Sequence, residues 1–455
     1  MIGANKKKSD FATPYTVSNA LTKGGAAVKL SALIMGLGNI AHKQIIKGLI
    51  FLAIEIGYIM FMVNAGAYYL SMLPSLGWRK QEEVFNEQKQ MYVQGDNSVL
   101  LLLYGVATIA ITLLFIYMWA ENLRSAYMAE CLAKEGKEIN SFGKDVKSLF
   151  DKNLYKTLMF LPLMGILIFT VLPLLFMIPM AFTNYSTINK HLTLFDWVGL
   201  ANFKTVLGLG GKIGKTFWRV LGWTIVWAVC ATFLCNFLGL ILAIVINRKE
   251  TKCKAFWRTC FVISIAVPQF VSLLVMRQML QEHGAINNLL MEWGLIQNPL
   301  PFWTNTMWAR VSVILINCWV GIPYTMLQVT GVLQNVPAEL YEAAKIDGAN
   351  AAQIFRKITL PYIMFIMGPY IITQFTGNIN NFNVIYLLSA GKPTPVGETA
   401  GKTDLLVTWL YKLTVDYQYY NIGAVIGILT FVVLSIVALV TYRNTKAYKD
   451  EEGFM

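Results

Sequence analysis

Residues 220–246 read VLGWTIVWAVCATFLCNFLGLILAIVI and contain no charged side chain. An α-helix rises about 1.5 Å per residue, so this stretch is long enough to cross the roughly 30 Å of hydrocarbon in a bilayer. It predicts a transmembrane helix. The whole chain has the same bias, because 56% of its 455 residues are hydrophobic and 14% are charged, whereas soluble domains have about 45–50% and about 25%. The composition indicates an integral membrane protein and excludes a water-soluble globule.

Apolar stretches of this kind recur eight times along the chain. Their predicted bounds are 46–71, 99–120, 157–182, 220–246, 256–280, 310–333, 360–388 and 421–442. The predicted fold class is therefore all-α, a polytopic membrane protein with eight transmembrane helices. We expect three regions: an N-terminal arm over 1–45, a first pair of spans with its following loop over 46–150, and a core over 151–455.

The basic residues predict the orientation of the spans, since cytoplasmic loops retain Lys and Arg. The N-terminal segment up to Lys47, every second loop and the tail carry 25 of the 38 Lys and Arg residues, against 11 in the alternate loops. This bias places both termini in the cytoplasm, although the external loop over 184–219 carries five basic residues and weakens it. The charges lie between apolar blocks, so the net charge of +13 indicates topology and a lipid surface rather than a nucleic-acid partner.

The loop between the sixth and seventh predicted spans has an unusual composition. Residues 337–361 read PAELYEAAKIDGANAAQIFRKITLP. Pro337 suits the first turn of a helix, Gly348 suits its C-terminal end, and a second short helix from Ala349 is expected to end near Leu360 and Pro361. These residues alone leave two interpretations open: a solvated amphipathic linker on the membrane surface, or a docking site for another protein.

The same string resembles the E-A-A-x3-G-x9-I-x-L-P signature of the membrane subunits of binding-protein-dependent ABC importers. Every fixed position of the signature is present. These positions are Glu342, Ala343, Ala344, Gly348, Ile358, Leu360 and Pro361. The resemblance implies an ABC type I importer permease fold, with the loop over 335–361 as a coupling element that contacts an ATPase subunit.

Further segments resemble the MalF-type maltose and maltodextrin permeases, from about the third span onward. They are residues 263–270, 317–324, 380–382 and 400–407. This resemblance implies a subunit in the bacterial cytoplasmic membrane that imports maltose or maltodextrin by alternating access. The implied partners are a MalG-like second permease, a MalK-like ATPase homodimer and an extracytoplasmic sugar-binding protein. The chain itself is then no enzyme and binds no cofactor, since ATP and Mg lie on the partner ATPase.

In this family the sugar lies midway across the membrane, which corresponds here to residues 265–269, 319–324 and 377–383. A sugar presents hydroxyls and an apolar ring face, so amide side chains and aromatic rings suit it. The expected sugar-binding residues are Gln269, Trp319, Gly321, Tyr324, Asn378, Asn381 and Asn383. The alternative is that the aromatic residues lie at the membrane interface and the amides only hydrogen-bond between helices.

The sequence departs from the best-known maltose permeases in two ways. Residues 183–219 leave room only for a short loop where those proteins have a large external domain. Gly377 and Ile265 stand where bulkier or hydroxylated aromatic side chains are familiar, which leaves another oligosaccharide open as the substrate.

Two other classes of function compete with this interpretation. Glu55 lies about ten residues into the first span, where a carboxylate is costly, and proton coupling there would indicate a secondary transporter. A polytopic membrane enzyme would need acid–base or metal-binding groups gathered at one face, whereas His42, His191 and His283 fall in different loops. The chain contains no G-x-x-x-x-G-K-[ST] motif for phosphate binding, and its six cysteines show neither a zinc-binding spacing nor a disulfide framework.

Overall fold

The computed structural model describes residues 15–78, 84–86, 91–93, 95–187, 193–248 and 250–443. The first fourteen residues of the predicted arm, His191 and the tail after Arg443 lie outside the described residues. Within the described ranges the fold is helical, as predicted, apart from one short antiparallel hairpin. Its strands are β1 (Val84–Asn86) and β2 (Met91–Val93), with Val84 opposite Val93.

The chain divides into two compact units. The first comprises residues 1–185 and 190–198 and contains nine helices among its described residues. These are α1 (Val17–Lys23), α2 (Ala26–Leu30), α3 (Leu37–Ala41), α4 (Ile45–Phe61), α5 (Ala67–Met72), α6 (Ser98–Lys134), α7 (Phe142–Leu149), α8 (Leu154–Ile166) and α9 (Leu172–Met180). π-Helical turns join α4 to α5 and α8 to α9, so each of these pairs forms one continuous span.

The second unit comprises residues 186–189 and 199–455. Its described helices are α10 (Ala201–Leu207), α11 (Lys212–Asn247), α12 (Lys254–Ala266), α13 (Gln269–Met279), α14 (Ala285–Glu292), α15 (Thr306–Gln334), α16 (Ala338–Ile346), α17 (Ala351–Ile354), α18 (Leu360–Ile379), α19 (Phe382–Leu388), α20 (Leu406–Tyr411) and α21 (Tyr420–Arg443). Two hydrophobic clusters among its described residues include α11, one against the first turns of α15 and α19, the other against the last turns of α15 and α18.

Seven continuous helices in the described residues are long and apolar enough to span a membrane. The remaining predicted span, the fifth (256–280), is broken into α12 and α13, which meet at an angle of 86°. Pro268 explains the break, because it lacks an N–H and forces the preceding Val267 into an extended conformation with ψ 127°. The prediction of eight spans is therefore confirmed with one span broken.

The seventh span differs from its predicted bounds of 360–388. The helix begins at Ala351 and ends at Ile379, and α19 is a separate helix. The Asn381 side chain accepts a hydrogen bond from the N–H of Val384 at 3.2 Å and so starts α19 anew.

The loops of the second unit gather at two ends, as an alternation of spans requires. At one end, Arg310 Nε of α15 donates to the carbonyl of Lys402 at 3.2 Å. At the other end, Asn247 Nδ2 of α11 donates to Thr330 Oγ1 of α15 at 3.1 Å. The residues 389–405 therefore lie at the end opposite to α16.

Candidate functional site

The signature loop folds as a capped helix followed by a turn. After α16, Gly348 has φ +74°. Its N–H donates to the carbonyl of Lys345 at 3.1 Å, and the N–H of Ala349 donates to the carbonyl of Ala344 at 2.9 Å. These two bonds form a Schellman motif, whose left-handed residue is glycine because glycine adopts positive φ without steric cost. The left-handed turn expected at Gly348 is present.

One side of α16 is open. Ile346 is 87% exposed, Glu342, Ala343 and Gly348 are exposed as well, and Ala344 is half-buried. A large apolar side chain next to small residues leaves a surface that a partner protein can approach closely. An exposed isoleucine suits a membrane surface as well, so the geometry is compatible with both interpretations of the loop.

The rest of the signature lies elsewhere in the fold. Ile358, Leu360 and Pro361 belong to the continuous helix Ala351–Ile379 that forms the seventh span. The expected end of a short helix at Leu360 and Pro361 is therefore wrong. A π-helical turn over Phe355–Thr359 precedes Leu360 and Pro361. Because this turn has a different hydrogen-bond pattern, the helix continues although Pro361 has no N–H to donate.

Two tyrosines connect the loop to the spans. The hydroxyl of Tyr341, on α16, lies 3.2 Å from Thr359 Oγ1 at the base of the seventh span. The hydroxyl of Tyr362 donates to the carbonyl of Asn335, at the end of α15, at 3.2 Å. The first contact joins α16 to the seventh span, and the second joins the seventh span to the end of α15.

Gln269 is the first residue of α13 and follows the break in the fifth span. Its side chain is exposed. Broken helices at membrane depth leave backbone polar groups free, and they occur where the backbone lines a cavity or is buried in protein. Gln269 thus lies directly after such a break.

Trp319 and Tyr324 both lie on α15, with exposed fractions of 44% and 47%. Their spacing along a helix puts the two rings about 140° apart around its axis. The two rings therefore face different sides of α15, and one side of this helix presents only one of them. Trp319 shares its side with the exposed Leu315.

Gly321 and Asn378 have packing roles in this structure. A Cβ atom on Gly321 would lie 2.7 Å from Cys235 Sγ, so this glycine allows α15 to approach α11 closely. Asn378 is buried, and its Nδ2 donates to Thr232 Oγ1 of α11 at 2.9 Å. These contacts fit the alternative in which small and amide residues serve helix packing.

The remaining two asparagines differ from each other. Asn381 caps α19 through its side chain, whereas Asn383 is exposed on the first turn of α19. Of the predicted amides, Gln269 and Asn383 are thus the exposed ones, and their helices α13 and α19 pack against each other. The structure brings these two elements together.

A polar row between α11 and α18 was missed from the sequence. Asn236 donates to Gln374, and one turn along each helix Asn378 donates to Thr232. The available signal was the i, i+4 spacing of polar residues in both spans. Intramembrane polar residues that pair with one another mark candidate functional positions.

A second missed feature lies at the end opposite to α16. The Asp404 carboxylate, 1% exposed, accepts hydrogen bonds from the N–H of Gly401 at 2.7 Å and from Thr408 Oγ1 at 3.0 Å, and it pairs with Lys412 Nζ at 2.7 Å. Arg219 also donates to the carbonyl of Gly401, at 3.1 Å. The loop over 389–405 is therefore built around buried charges.

Glu55 has a structural partner within the first unit. Its Oε2 accepts a hydrogen bond from the backbone N–H of Met35 at 2.8 Å. The histidines considered as enzyme residues, His42 and His283, lie in separate loops. His42 Nδ1 lies 2.6 Å from the carbonyl oxygen of Gly38. Glu55 thus holds the backbone of the N-terminal arm.

The chain is similar to known membrane transport proteins. A family model for the binding-protein-dependent transport system inner membrane component matches residues 235–446. The galactooligosaccharides transport system permease protein GanP of Bacillus subtilis is 37% identical over 429 residues, which cover 93% of this chain and 98% of that protein. The maltodextrin transport system permease protein MdxF of the same organism is 35% identical over 447 residues, covering 95% and 99%.

Other similarities cover less of the chain. The maltose/maltodextrin transport system permease protein MalF of Vibrio vulnificus is 35% identical over 55% of this chain and 48% of that protein. The crystal structure of a bacterial ABC transporter involved in the import of the acidic polysaccharide alginate superposes with a TM-score of 0.52 and 24% identity, covering 66% of this chain and 99% of the other. A complex of a bacterial alginate ABC transporter with a pentasaccharide-bound periplasmic protein gives 0.54 and 22%, covering 68% and 98%. These structures confirm the permease fold.

Proposed function

This chain belongs to the binding-protein-dependent transport system inner-membrane component family, the permease subunits of ABC transporters, and we propose that the sugar it admits is a maltodextrin. The observation that carries the proposal is the 35% identity with a maltodextrin permease over 95% of the chain. The segment over 400–407, which pointed to the maltose branch from sequence, forms part of the loop built around Asp404.

A galacto-oligosaccharide is the second candidate, because GanP is 37% identical over 93% of the chain. Both candidates are chains of aldose rings that present hydroxyls and apolar ring faces. Amides and an aromatic ring suit either one. The distinction therefore requires a measurement on the transported sugar.

The proposed transport path uses the fifth, sixth and seventh spans. Gln269 and Asn383 supply hydrogen bonds to sugar hydroxyls, and Trp319 offers a ring face for stacking. Tyr324 faces another side of α15 and would contact sugar only from that side. Gly321, Asn378 and Asn381 support these residues through helix packing and capping, with the row from Asn236 to Gln374 holding the seventh span on α11.

The proposed driving mechanism uses α16 as the coupling helix, with both termini of the chain in the cytoplasm. A MalK-like ATPase homodimer would receive Glu342, Ala343 and Gly348 in a cleft, and a MalG-like permease would complete the pathway. A sugar-binding protein would deliver the substrate at the end where residues 389–405 lie. ATP-driven closure would then move α16 and, through Tyr341, the seventh span.

Uptake competition tests the substrate. We expect unlabelled maltotriose to suppress the uptake of labelled maltotriose into proteoliposomes that contain the whole transporter and its binding protein. Dominant suppression by a galacto-oligosaccharide would instead identify the second candidate. Failure of both sugars would contradict the oligosaccharide assignment.

A pair of variants tests the site itself. Trp319→Ala should lower uptake at limiting sugar about two- to tenfold through loss of a stacking contact, with unchanged assembly. Trp308→Ala, on the same helix with a similar exposed fraction of 41%, is the matched control. Equal uptake by both variants would remove Trp319 from the site.

A further inference from the structure

The N-terminal arm approaches the membrane beside α6. The N–H of Gly25 donates to Glu130 Oε2 at 2.8 Å, and farther along the arm the carbonyl of Ala32 accepts a hydrogen bond from Trp119 Nε1 at 2.9 Å. Glu130 and Trp119 are separated by about 16 Å along the axis of α6. The chain from Gly25 to Ala32 therefore advances by roughly three helical turns of α6 toward the apolar part of this span.

The arm then returns in the opposite direction. Asn39 Nδ2 donates to Ser125 Oγ of α6 at 2.8 Å, and Gln44 Nε2 donates to the carbonyl of Asn140, beyond the end of α6, at 2.9 Å. Residues 26–41 are thus a helical hairpin, with α2 as one limb and α3 as the other. Its tip consists of residues 31–36.

Side chains of α4 and α6 satisfy backbone polar groups at the tip. The N–H of Met35 is bonded to Glu55, the N–H of Gly36 donates to Asn122 Oδ1 at 2.8 Å, and Asn122 Nδ2 donates in turn to the carbonyl of Ser31 at 2.9 Å. Non-helical backbone at membrane depth is tolerated only where protein groups satisfy its hydrogen bonds. The polar groups of α4 and α6 meet this requirement.

The outer side of the tip is apolar. Leu33 is 75% exposed, Leu30 50% and Ile34 47%. Gly36 touches the backbone of Gly48 of α4, where a Cβ atom on Gly48 would lie 2.6 Å from the Gly36 carbonyl oxygen. The tip is therefore next to the first turns of α4.

That part of α4 presents the same kind of surface. Ile45 is 58% exposed and Leu49 is 52% exposed, and both lie at the start of the first span. An apolar surface continuous with the outer face of a transmembrane helix has lipid as its natural surroundings. The exposed pair Glu121 and Arg124 on α6 lies at the level of the tip, which indicates the headgroup boundary.

We propose that residues 26–41 form an interfacial hairpin that enters the lipid leaflet at the N-terminal side of the first span, with Leu30, Leu33 and Ile34 in contact with phospholipid acyl chains. Lys29, exposed beside Leu30, reaches the headgroups through its long aliphatic stem. This proposal places part of the predicted arm over 1–45 at the lipid surface of the cytoplasmic leaflet. The proposal does not depend on which sugar is carried.

Photocrosslinking in the whole transporter tests this contact. The photoreactive residue benzoylphenylalanine replaces Leu33, or the exposed Thr22 of α1 as control, in cells whose phospholipids carry radioactive phosphate. After illumination and denaturing purification, we expect at least about threefold more radioactive lipid on the Leu33 variant than on the Thr22 variant. Equal labelling of the two, or a protein adduct at Leu33 in place of lipid, would overturn the proposal.

A second crosslinking variant controls for a local structural change caused by the replacement of Leu33. Ile34, on the same apolar side, should give lipid adducts as Leu33 does, whereas both should fall to the level of Thr22 if a partner protein covers the tip. Leu33 and Ile34 are exposed, so their replacement removes no core contact. Because transport is not part of the readout, failure here leaves the proposed function unaffected.

Discussion

The Tyr341 hydroxyl lies 3.2 Å from Thr359 Oγ1 and joins the exposed helix α16 to the base of the seventh span. Tyr341→Phe removes this contact and keeps the ring. A hydrogen bond contributes about 0.5–1.5 kcal/mol, so we expect the number of sugars carried per ATP hydrolysed to fall about two- to tenfold. Tyr117→Phe, at an exposed position of α6, is the control. An unchanged ratio in Tyr341→Phe would show that this contact does not transmit motion.

Arg219 fixes the loop at the opposite end of the second unit. It donates to the carbonyls of Ala400, at 3.0 Å, and Gly401, and it pairs with Glu398. Arg219→Ala should lower the free energy of unfolding by about 1–3 kcal/mol, measured as thermal unfolding in detergent. Lys215→Ala removes an exposed positive charge one turn away on the same helix and should change it by less than about 0.5 kcal/mol. Equal losses of unfolding free energy in the two variants would show that the effect comes from the lost positive charge and not from the contacts of Arg219.

Asp404 and Lys412 form the buried ion pair of this loop, with side-chain exposures of 0% and 13%. Asp404→Asn leaves the ammonium of Lys412 without its counter-charge, which costs about 3–5 kcal/mol for a buried pair. We expect poor folding yield and a lower unfolding temperature. Asp416→Asn, at an exposed position, serves as the control. Wild-type stability of the Asp404 variant would refute the structural role of the pair.

Substitutions of Glu55 distinguish a role in proton coupling from a structural role. Its partner is the Met35 N–H, and a glutamine side-chain oxygen can accept the same hydrogen bond. Glu55→Gln should therefore keep ATP-driven uptake, and collapse of the proton gradient at constant ATP should leave that uptake unchanged. Glu55→Leu should destabilise the first unit by about 1–3 kcal/mol, because the N–H loses its acceptor. Loss of uptake in Glu55→Gln would revive the secondary-transporter interpretation.

Hydropathy predicted the spans because it reports the need for lipid, and residues 220–246 lie wholly inside α11. It did not predict helix ends. α6 runs on to Lys134, past the charged Glu121 and Arg124, because the N-terminal arm packs apolar side chains against Leu123 and Ala126 there. The arm's own fold was beyond prediction, since its hydrogen bonds join residues far apart in sequence.

Residue type alone could not assign the site. Asn378 and Asn383 are chemically identical and lie a few residues apart, yet one is bonded to Thr232 and the other is exposed. The difference arises from the end of α18 and the new start of α19 at Asn381. The turn at Gly348 could be predicted because a glycine at a helix end indicates a local backbone conformation. The exposure of the predicted sugar-binding residues depends instead on how separate helices pack.

The most direct test of the coupling role of α16 compares two glycines with similar positive φ angles. Gly348 and Gly136 have φ of +74° and +66°, and nothing lies within 4 Å of a Cβ atom on either. A valine imposes similar strain at both positions, about 1–2 kcal/mol, but only Gly348 lies on the open side of α16. The measurement is ATP-driven sugar uptake by the assembled transporter. We predict near wild-type uptake for Gly136→Val and loss of uptake for Gly348→Val at equal membrane insertion; equal uptake by the two variants would contradict the account.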